Sequence, residues 1–86
     1  MRDTLVIIPT YNEIENIEPL TQAVLEASED VDILIVDDNS PDGTGNKADQ
    51  LQAIEPRIHV LNRTLKEGLG RAYIAGFQWA LEHDYE

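Results

Sequence analysis

The sequence predicts an α/β fold of three layers (α-β-α), with a parallel sheet between two layers of helices. Two short apolar runs, residues 5–8 and 33–36, are rich in β-branched side chains and do not alternate with polar ones. This pattern is typical of strands that are covered on both faces. Segments with apolar residues at helical spacing follow them, and the resulting β-α-β-α-β-α order requires crossover connections between parallel strands.

Three segments are predicted to be strands. Residues 4–9 form a β-branched run closed by Pro9, and residues 31–37 repeat this pattern. Both are expected to be covered on two faces. Residues 57–62 follow Pro56 and alternate between apolar and polar side chains, which also indicates a strand.

The first helix is predicted from near Asn16 to about Ser28. Its apolar residues lie on one helical face. Pro19 is compatible with this helix only if it falls in the first turn, where a backbone N–H has no partner within the helix. The apolar residues of this face are Ile17, Leu20, Val24 and Ala27.

Two further helices follow the second and third strands. Ser40 or Thr44 is predicted to cap the second helix, and Pro56 stops it. The third helix is predicted to end near His83. The apolar residues at helical spacing are Ala48, Leu51 and Ile54 in the second helix, and Tyr73, Phe77, Ala80 and Leu81 in the third.

The composition limits the chain to one small domain or part of one. Its 86 residues include 17 acidic and 6 basic side chains, which gives a net charge of −11, and no cysteine. A fold stapled by disulfides and a thiolate nucleophile are therefore excluded. The negative charge argues against non-specific binding of nucleic acid. No apolar run approaches the roughly 20 residues that span a bilayer.

The charge is unevenly distributed along the chain. Residues 1–56 carry 13 acids and two bases, whereas residues 57–86 carry four of each. We therefore expect any site for an anion to lie within residues 57–86.

Ligands of open parallel sheets bind beyond the carboxyl ends of the strands, which points to three loops, at residues 9–13, 37–44 and 63–70. The first loop contains no glycine, and Tyr73 stands where a third glycine would have to follow Gly68 and Gly70. A dinucleotide-binding fingerprint is therefore excluded, and so is a phosphate-loop NTPase, whose motif does not occur.

Two adjacent carboxylates, Asp37 and Asp38, end the second predicted strand. One can accept a hydrogen bond from a nucleobase or ribose while the other braces the loop. Alternatively, Asp37 or Asn39 only caps a turn or the next helix. Tyr11 offers a flat face to a base and Glu13 a further acceptor, or the two are a packing residue and an acid at a helix start.

Lys66, Gly68 and Gly70 place a cation and two positions without side chains before the third helix. This arrangement suits a phosphate that approaches backbone N–H groups, although a mobile surface loop is an equal alternative. His59 and His83 lack metal-ligand spacing and are interpreted as structural. The aromatic residues interpreted as core and helix surface are Tyr73, Phe77 and Trp79.

Three stretches carry a resemblance to a known family: VIIPTYNEIENI, ILIVDDNSPDGTG and NRTLKEGLGRAYIAGF. They resemble the N-terminal half of family 2 inverting glycosyltransferases. SPDGT and K-x-G-L-G-x-A-Y-x-x-G narrow the resemblance to the polyprenyl-phosphate sugar transferases of that family. The resemblance implies a nucleotide-diphospho-sugar transferase (GT-A, Rossmann-like) fold, with residues 1–86 as the N-terminal, nucleotide-sugar-binding part of one domain.

The resemblance also implies roles for individual residues. The nucleotide of the sugar donor is expected to contact Pro9, Tyr11, Glu13, Val36 and Asp38. Asp37 corresponds to the carboxylate that braces the loop after the second strand. The wall of the site near the donor phosphates or the acceptor is expected to include Lys66, Gly68 and Gly70. No catalytic residue and no metal ligand is expected within these residues.

The implied reaction is transfer of mannose from GDP-mannose to a polyprenyl (dolichyl) phosphate, with inversion at the sugar. The attacking phosphate oxygen is already ionised near pH 7, so no strong general base is required. Mg²⁺ or Mn²⁺ is the implied cofactor, with its D-x-D ligands and the acceptor half expected beyond Glu86. The 86 residues alone are expected to be inactive. The complete protein is expected to be cytoplasmic and peripheral at the cytoplasmic face of a membrane.

Other functions remain open from the sequence. Another family 2 polyprenyl-phosphate transferase, for example a glucosyltransferase, would carry the same motifs. A nucleotide-binding module without turnover is compatible with these residues. ILIVDD also resembles a phosphoacceptor receiver domain, but such a domain needs an aspartate that ends a later strand. The one aspartate after the third predicted strand, Asp84, follows a helix.

Overall fold

The computed structural model describes residues 4–38, 40–63 and 69–83, and it shows an α/β fold. The three strands are parallel and lie in the order β1-β2-β3, so the predicted parallel sheet is confirmed. The elements are β1 (Thr4–Thr10), α1 (Ile17–Ala27), β2 (Val31–Asp37), α2 (Thr44–Ile54), β3 (Ile58–Asn62) and α3 (Leu69–Glu82).

Helices cover both faces of the sheet, as predicted. One core cluster joins the sheet to α1 and α2, and a second joins it to α3. The first cluster comprises Ile8, Ile17, Ile33, Ile35, Ala48, Leu51 and Ile58. The second comprises Leu34, Val36 and Ala72, against which Leu5, Ile7, Leu61 and Trp79 pack. Alternate residues of each strand therefore face opposite helix layers.

Both faces of β1 carry packed side chains, as predicted, with Ile8 facing α1 and α2 and Ile7 facing α3, but β1 is buried less deeply than β2. Only Ile8 and Thr10 are buried in this strand, whereas residues 32–37 of β2 are all buried. The cause is strand order, because β2 pairs on both sides while β1 lies at the edge of the described sheet.

The face by which α3 packs differs from the apolar stripe that predicted the helix. Ala72 and Gly76 are buried against the sheet, and a Cβ atom at Gly76 would lie 2.8 Å from Ile7 Cγ2. Tyr73 and Phe77, by contrast, are 42% and 59% exposed, and their rings stack on the outer surface. Small side chains thus decide which face approaches the sheet.

The predicted ends of α1 are confirmed, with Asn16 and Ser28 as its flanking caps. The predicted cap of α2 was wrong. The N-cap is Gly43 in a left-handed conformation (φ 95°), and it offers no side chain. This conformation suits glycine because it has no Cβ atom. Ser40 and Thr44 bond elsewhere, as described below.

Both histidines pack beside Trp79, near the amino ends of the strands. The rings of His59 and Trp79 lie 5.2 Å apart, and His83 stacks on Trp79 at 3.9 Å. His59 Nε2 lies 3.5 Å from the buried Asp32 carboxylate. Within the described ranges, no helix has the length and apolar character needed to cross a membrane.

Candidate functional site

The carboxyl ends of the three strands meet at one edge of the sheet. Thr10 pairs with Asp37, and Asp37 pairs with Asn62. Backbone bonds continue past the strands, from Asp38 N–H to the Thr10 carbonyl (3.0 Å) and from Arg63 N–H to the Asp37 carbonyl (2.8 Å). Two connecting loops therefore begin side by side, namely loop 1 (residues 11–16) and loop 2 (residues 38–43).

Asp37 is almost fully buried and accepts three hydrogen bonds. Its Oδ1 accepts from the hydroxyls of Thr10 (2.7 Å) and Ser40 (2.6 Å), and its Oδ2 accepts from the backbone N–H of Ser40 (3.0 Å). Both carboxylate oxygens are thus engaged within the protein. This is the geometry of a carboxylate that ties the end of β1 to loop 2.

Asp38 is also buried, but its partner is a cation. Arg63 Nη1 lies 3.0 Å from Asp38 Oδ1, and the two side chains are 14% and 4% exposed. From the sequence, Arg63 was only one of the four basic residues of 57–86, and it was not paired with Asp38. The parallel register contains the missing signal, because Asp37 pairs with Asn62 and the next residues along each strand are Asp38 and Arg63.

Loop 1 and loop 2 face one another, as the parallel topology predicts. Three consecutive backbone N–H groups of loop 1 donate to side chains of the 40–44 segment, whose sequence is Ser-Pro-Asp-Gly-Thr. The bonds run from Asn12 to Ser40 Oγ (3.0 Å), from Glu13 to Thr44 Oγ1 (2.9 Å) and from Ile14 to Asp42 Oδ2 (3.2 Å).

Tyr11 and Glu13, the two side chains of loop 1 predicted to contact a nucleotide, are both half-buried. Between them, Asn12 adopts a left-handed conformation with φ 56°, which asparagine tolerates better than most residues. The Glu13 carbonyl accepts the N–H groups of Asn16 and Ile17 at the start of α1, and its carboxylate accepts from the Asn16 amide at 3.1 Å. Glu13 therefore also helps to begin the helix.

The remaining predicted residues lie at different depths. Pro9 pairs with Val36 across the sheet, and the Val36 side chain is fully buried in the cluster beneath α3. A ligand at this edge can contact only the main chain of Val36. Gly70 lies in the first turn of α3, where no described atom would come within 4 Å of an added Cβ. Lys66 and Gly68 lie outside the described residues.

A polar cavity of about 220 Å³ opens at the same edge, between loop 2, the start of α2 and the end of β3. Asp37, Asn62 and Arg63 line it. Gly45 allows the start of α2 to lie close to the end of β3, because an added Cβ would lie 3.0 Å from Asn62 Oδ1. A larger groove of about 360 Å³ lies between α1 and α2, beside Arg57 and away from the carboxyl ends of the strands.

The pKa of the Asp42 carboxyl is lowered by its hydrogen bonds. The Thr44 hydroxyl lowers the pKa of this group below its ordinary 3.8, and the backbone N–H groups of Thr44 and Ile14 add to that effect against some desolvation. Within residues 4–38, 40–63 and 69–83, no three His, Cys, Asp or Glu side chains are grouped to bind a metal ion. The described residues alone do not fit a divalent cation.

Comparison with known proteins gives consistent matches along the chain. It is 59% identical over 83 residues to an undecaprenyl-phosphate mannosyltransferase of Micrococcus luteus, covering 95% of this chain and 34% of that protein. It is 57% identical over 83 residues to a polyprenol monophosphomannose synthase of Mycolicibacterium smegmatis, covering 95% and 31%. With a dolichol-phosphate mannosyltransferase of Pyrococcus furiosus, identity is 46% over 77 residues, covering 87% and 22%.

A solved structure shares the fold. It is a mannosyltransferase from Pyrobaculum calidifontis in complex with GDP-Man and Mn²⁺, with a TM-score of 0.80 and 25% identity over 91% of this chain and 24% of that one. The chain spans about a third or less of the length of the curated relatives it matches. The sequence profile of glycosyl transferase family 2 matches residues 5–83, almost the whole chain. The chain therefore belongs to glycosyl transferase family 2.

Proposed function

We propose that the protein carrying this chain transfers mannose from GDP-mannose to a polyprenyl phosphate, with inversion at the sugar. Residues 1–86 then form the N-terminal part of the transferase domain, which binds the nucleotide of the donor. The names of the relatives support the reaction, and the GDP-Man in the structural neighbour supports the donor.

The observation that carries this proposal is the buried Asp38 carboxylate at the end of the central strand. Guanine presents N–H donors on its edge, and a carboxylate is an acceptor that selects such donors. Arg63 lies 3.0 Å from Asp38 and orients this carboxylate. Tyr11 lies on the neighbouring loop, where its ring can contact a base, and Pro9 and Glu13 flank it.

We assign no general base to the described residues, and the proposed chemistry needs none. The attacking oxygen belongs to a phosphate monoester, which carries charge near pH 7. Catalysis then depends on positioning the donor and on neutralising its diphosphate. A bound Mg²⁺ or Mn²⁺ would supply that neutralisation. The Mn²⁺ of the structural neighbour supports this cofactor, and we propose that its ligands lie outside the described residues.

The acceptor sets the place of the reaction. A polyprenyl phosphate resides in a bilayer, so we propose that the protein works at the cytoplasmic membrane surface, on the side where nucleotide sugars are available. This part of the proposal rests on the acceptors named for the relatives.

The test is transfer of radiolabelled mannose from GDP-mannose to undecaprenyl phosphate in vesicles, catalysed by the complete protein as the cell makes it. UDP-glucose serves as the competing donor. Asp38→Asn is expected to lower transfer strongly. Asp30→Asn is the matched control, because Asp30 is exposed in the turn before β2. Absence of mannose transfer, or preferred transfer of glucose, would refute the proposal.

A further inference from the structure

The conformation of loop 1 is determined by side chains of the 40–44 segment rather than by loop 1 itself. The N–H groups of residues 12, 13 and 14 precede the first turn of α1 and follow the end of β1, so neither element supplies them with an acceptor. Their acceptors are three alternate residues of the 40–44 segment, Ser40, Thr44 and Asp42.

Each of these acceptors is itself fixed by a second bond. The Ser40 hydroxyl donates to the buried Asp37 carboxylate. The Thr44 hydroxyl donates to Asp42 Oδ1, which also accepts the Thr44 backbone N–H at 2.9 Å, and Thr44 is fully buried. Asp42 is exposed, yet both its oxygens accept, one from Thr44 and the other from Ile14. Bonds to residues outside loop 1 therefore hold all three acceptors in position.

The bonds at residues 12–14 also affect how the side chains of Tyr11 and Glu13 are oriented. Asn12 lies between them in a left-handed conformation, so a change in its backbone would reorient both neighbouring side chains. The bonds at Asn12, Glu13 and Ile14 are what oppose such a change.

We propose that Ser40, Asp42 and Thr44 are positioning residues, which set the backbone of residues 12–14 and thereby place Tyr11 and Glu13 for the nucleotide. The effect on nucleotide binding rests on the proposed function, whereas the effect on the loop does not. In this proposal the 40–44 segment itself does not contact the ligand.

Variants of the complete protein test the Thr44 hydroxyl and the Asp42 carboxylate separately. Thr44→Val keeps the shape and removes the hydroxyl, while Thr44→Ser keeps the hydroxyl. Asp42→Asn leaves one backbone N–H facing an NH₂ group whichever way the amide is turned. Because Asp42 is exposed, this variant is expected to fold even if Thr44→Val does not. Asp30→Asn again serves as the matched carboxylate control.

The first measurement is hydrogen–deuterium exchange, by mass spectrometry, in the peptide that covers residues 11–16 without ligand. Thr44→Val and Asp42→Asn are expected to accelerate it about ten-fold, and Thr44→Ser and Asp30→Asn to leave it unchanged. The second is GDP affinity by calorimetry, expected to fall about three- to ten-fold in the first two variants only. In turnover, the KM for the donor should rise more than kcat falls.

The two measurements test separate parts of the proposal. Unchanged exchange in Asp42→Asn would overturn the inference about the loop. Faster exchange with unchanged GDP affinity would overturn the link between loop position and nucleotide binding. If the wild-type protein does not bind GDP at all, the proposed function fails, and exchange alone then decides whether the 40–44 segment positions loop 1.

Discussion

Replacing Arg63 by methionine tests the buried ion pair at the strand ends. The substitution keeps much of the length of the side chain and removes the charge that lies 3.0 Å from Asp38. Asp38 is 4% exposed, so little water reaches its carboxylate in the absence of ligand. Removing one member of a buried pair costs about 3–5 kcal/mol, because the other charge stays buried without its countercharge.

This cost corresponds to a large thermal shift. A domain of about 150–250 residues loses roughly 2–4 °C in melting temperature per kcal/mol, so Arg63→Met is expected to lower it by about 6–20 °C. Asp38→Asn should cost less, because the longer Arg63 side chain can turn its charge toward solvent. The double variant should be more stable than Arg63→Met alone, since it leaves no buried charge without its countercharge.

Thermal denaturation of the complete protein, followed by circular dichroism, measures these differences. Arg71→Met is the matched control, because Arg71 is exposed on α3. The reasoning would be refuted if Arg63→Met melted within about 2 °C of Arg71→Met, which is below the shift calculated above. It would also be refuted if the double variant were less stable than Arg63→Met.

Further substitutions and conditions test other parts of the structure. Gly76→Ala places a methyl group 2.8 Å from Ile7 Cγ2 and should cost about 1–3 kcal/mol in a denaturation curve, whereas Gly70→Ala, which meets no described atom within 4 Å, should be neutral or stabilising by up to about 1 kcal/mol. Because the pKa of Asp42 is lowered on folding, its contribution is complete above its ordinary 3.8 and is lost as pH falls through the lower folded value. The difference in melting temperature between wild type and Asp42→Asn should therefore be constant well above pH 3.8 and shrink below it. In calorimetry, Asp38→Asn should weaken GDP binding by about ten- to a hundred-fold, more than Asp42→Asn does. Chelation of divalent cations should abolish mannose transfer by the complete protein, and Mn²⁺ or Mg²⁺ should restore it.

The elements of the fold could be predicted from periodicity, but their burial could not. The apolar runs of β1 and β2 are alike in sequence, but β1 lies at the edge of the described sheet and is only partly buried, whereas residues 32–37 of the central strand are all buried. In α3 the apolar spacing predicted a helix correctly, while Ala72 and Gly76 selected the face that packs. Strand order and close packing depend on contacts between distant segments, which a local pattern does not contain.

Prediction of the candidate site had a similar limit. The rule that ligands bind at strand ends selected the loops after β1 and β2, which the structure places side by side, and the carboxylates Asp37 and Asp38, which it buries there. The interpretation of Ser40 and Thr44 as helix caps had the right chemistry, a hydroxyl that accepts a backbone N–H. It assigned the wrong donors, namely the N–H groups at the start of α2. The acceptors serve loop 1, and only the tertiary structure brings those N–H groups within reach.

The two adjacent carboxylates are both buried, and each has its own partners. Asp37 lies on the side of α2, where Thr10 and Ser40 donate to it. Asp38, the first residue after β2, pairs with Arg63, the first residue after β3. Each carboxylate is thus compensated separately, one by neutral donors and one by a cation. Substituting Asp37 should therefore disturb the two loops through Ser40, whereas substituting Asp38 should disturb the end of β3 through Arg63, and hydrogen exchange in the respective peptides distinguishes the two effects.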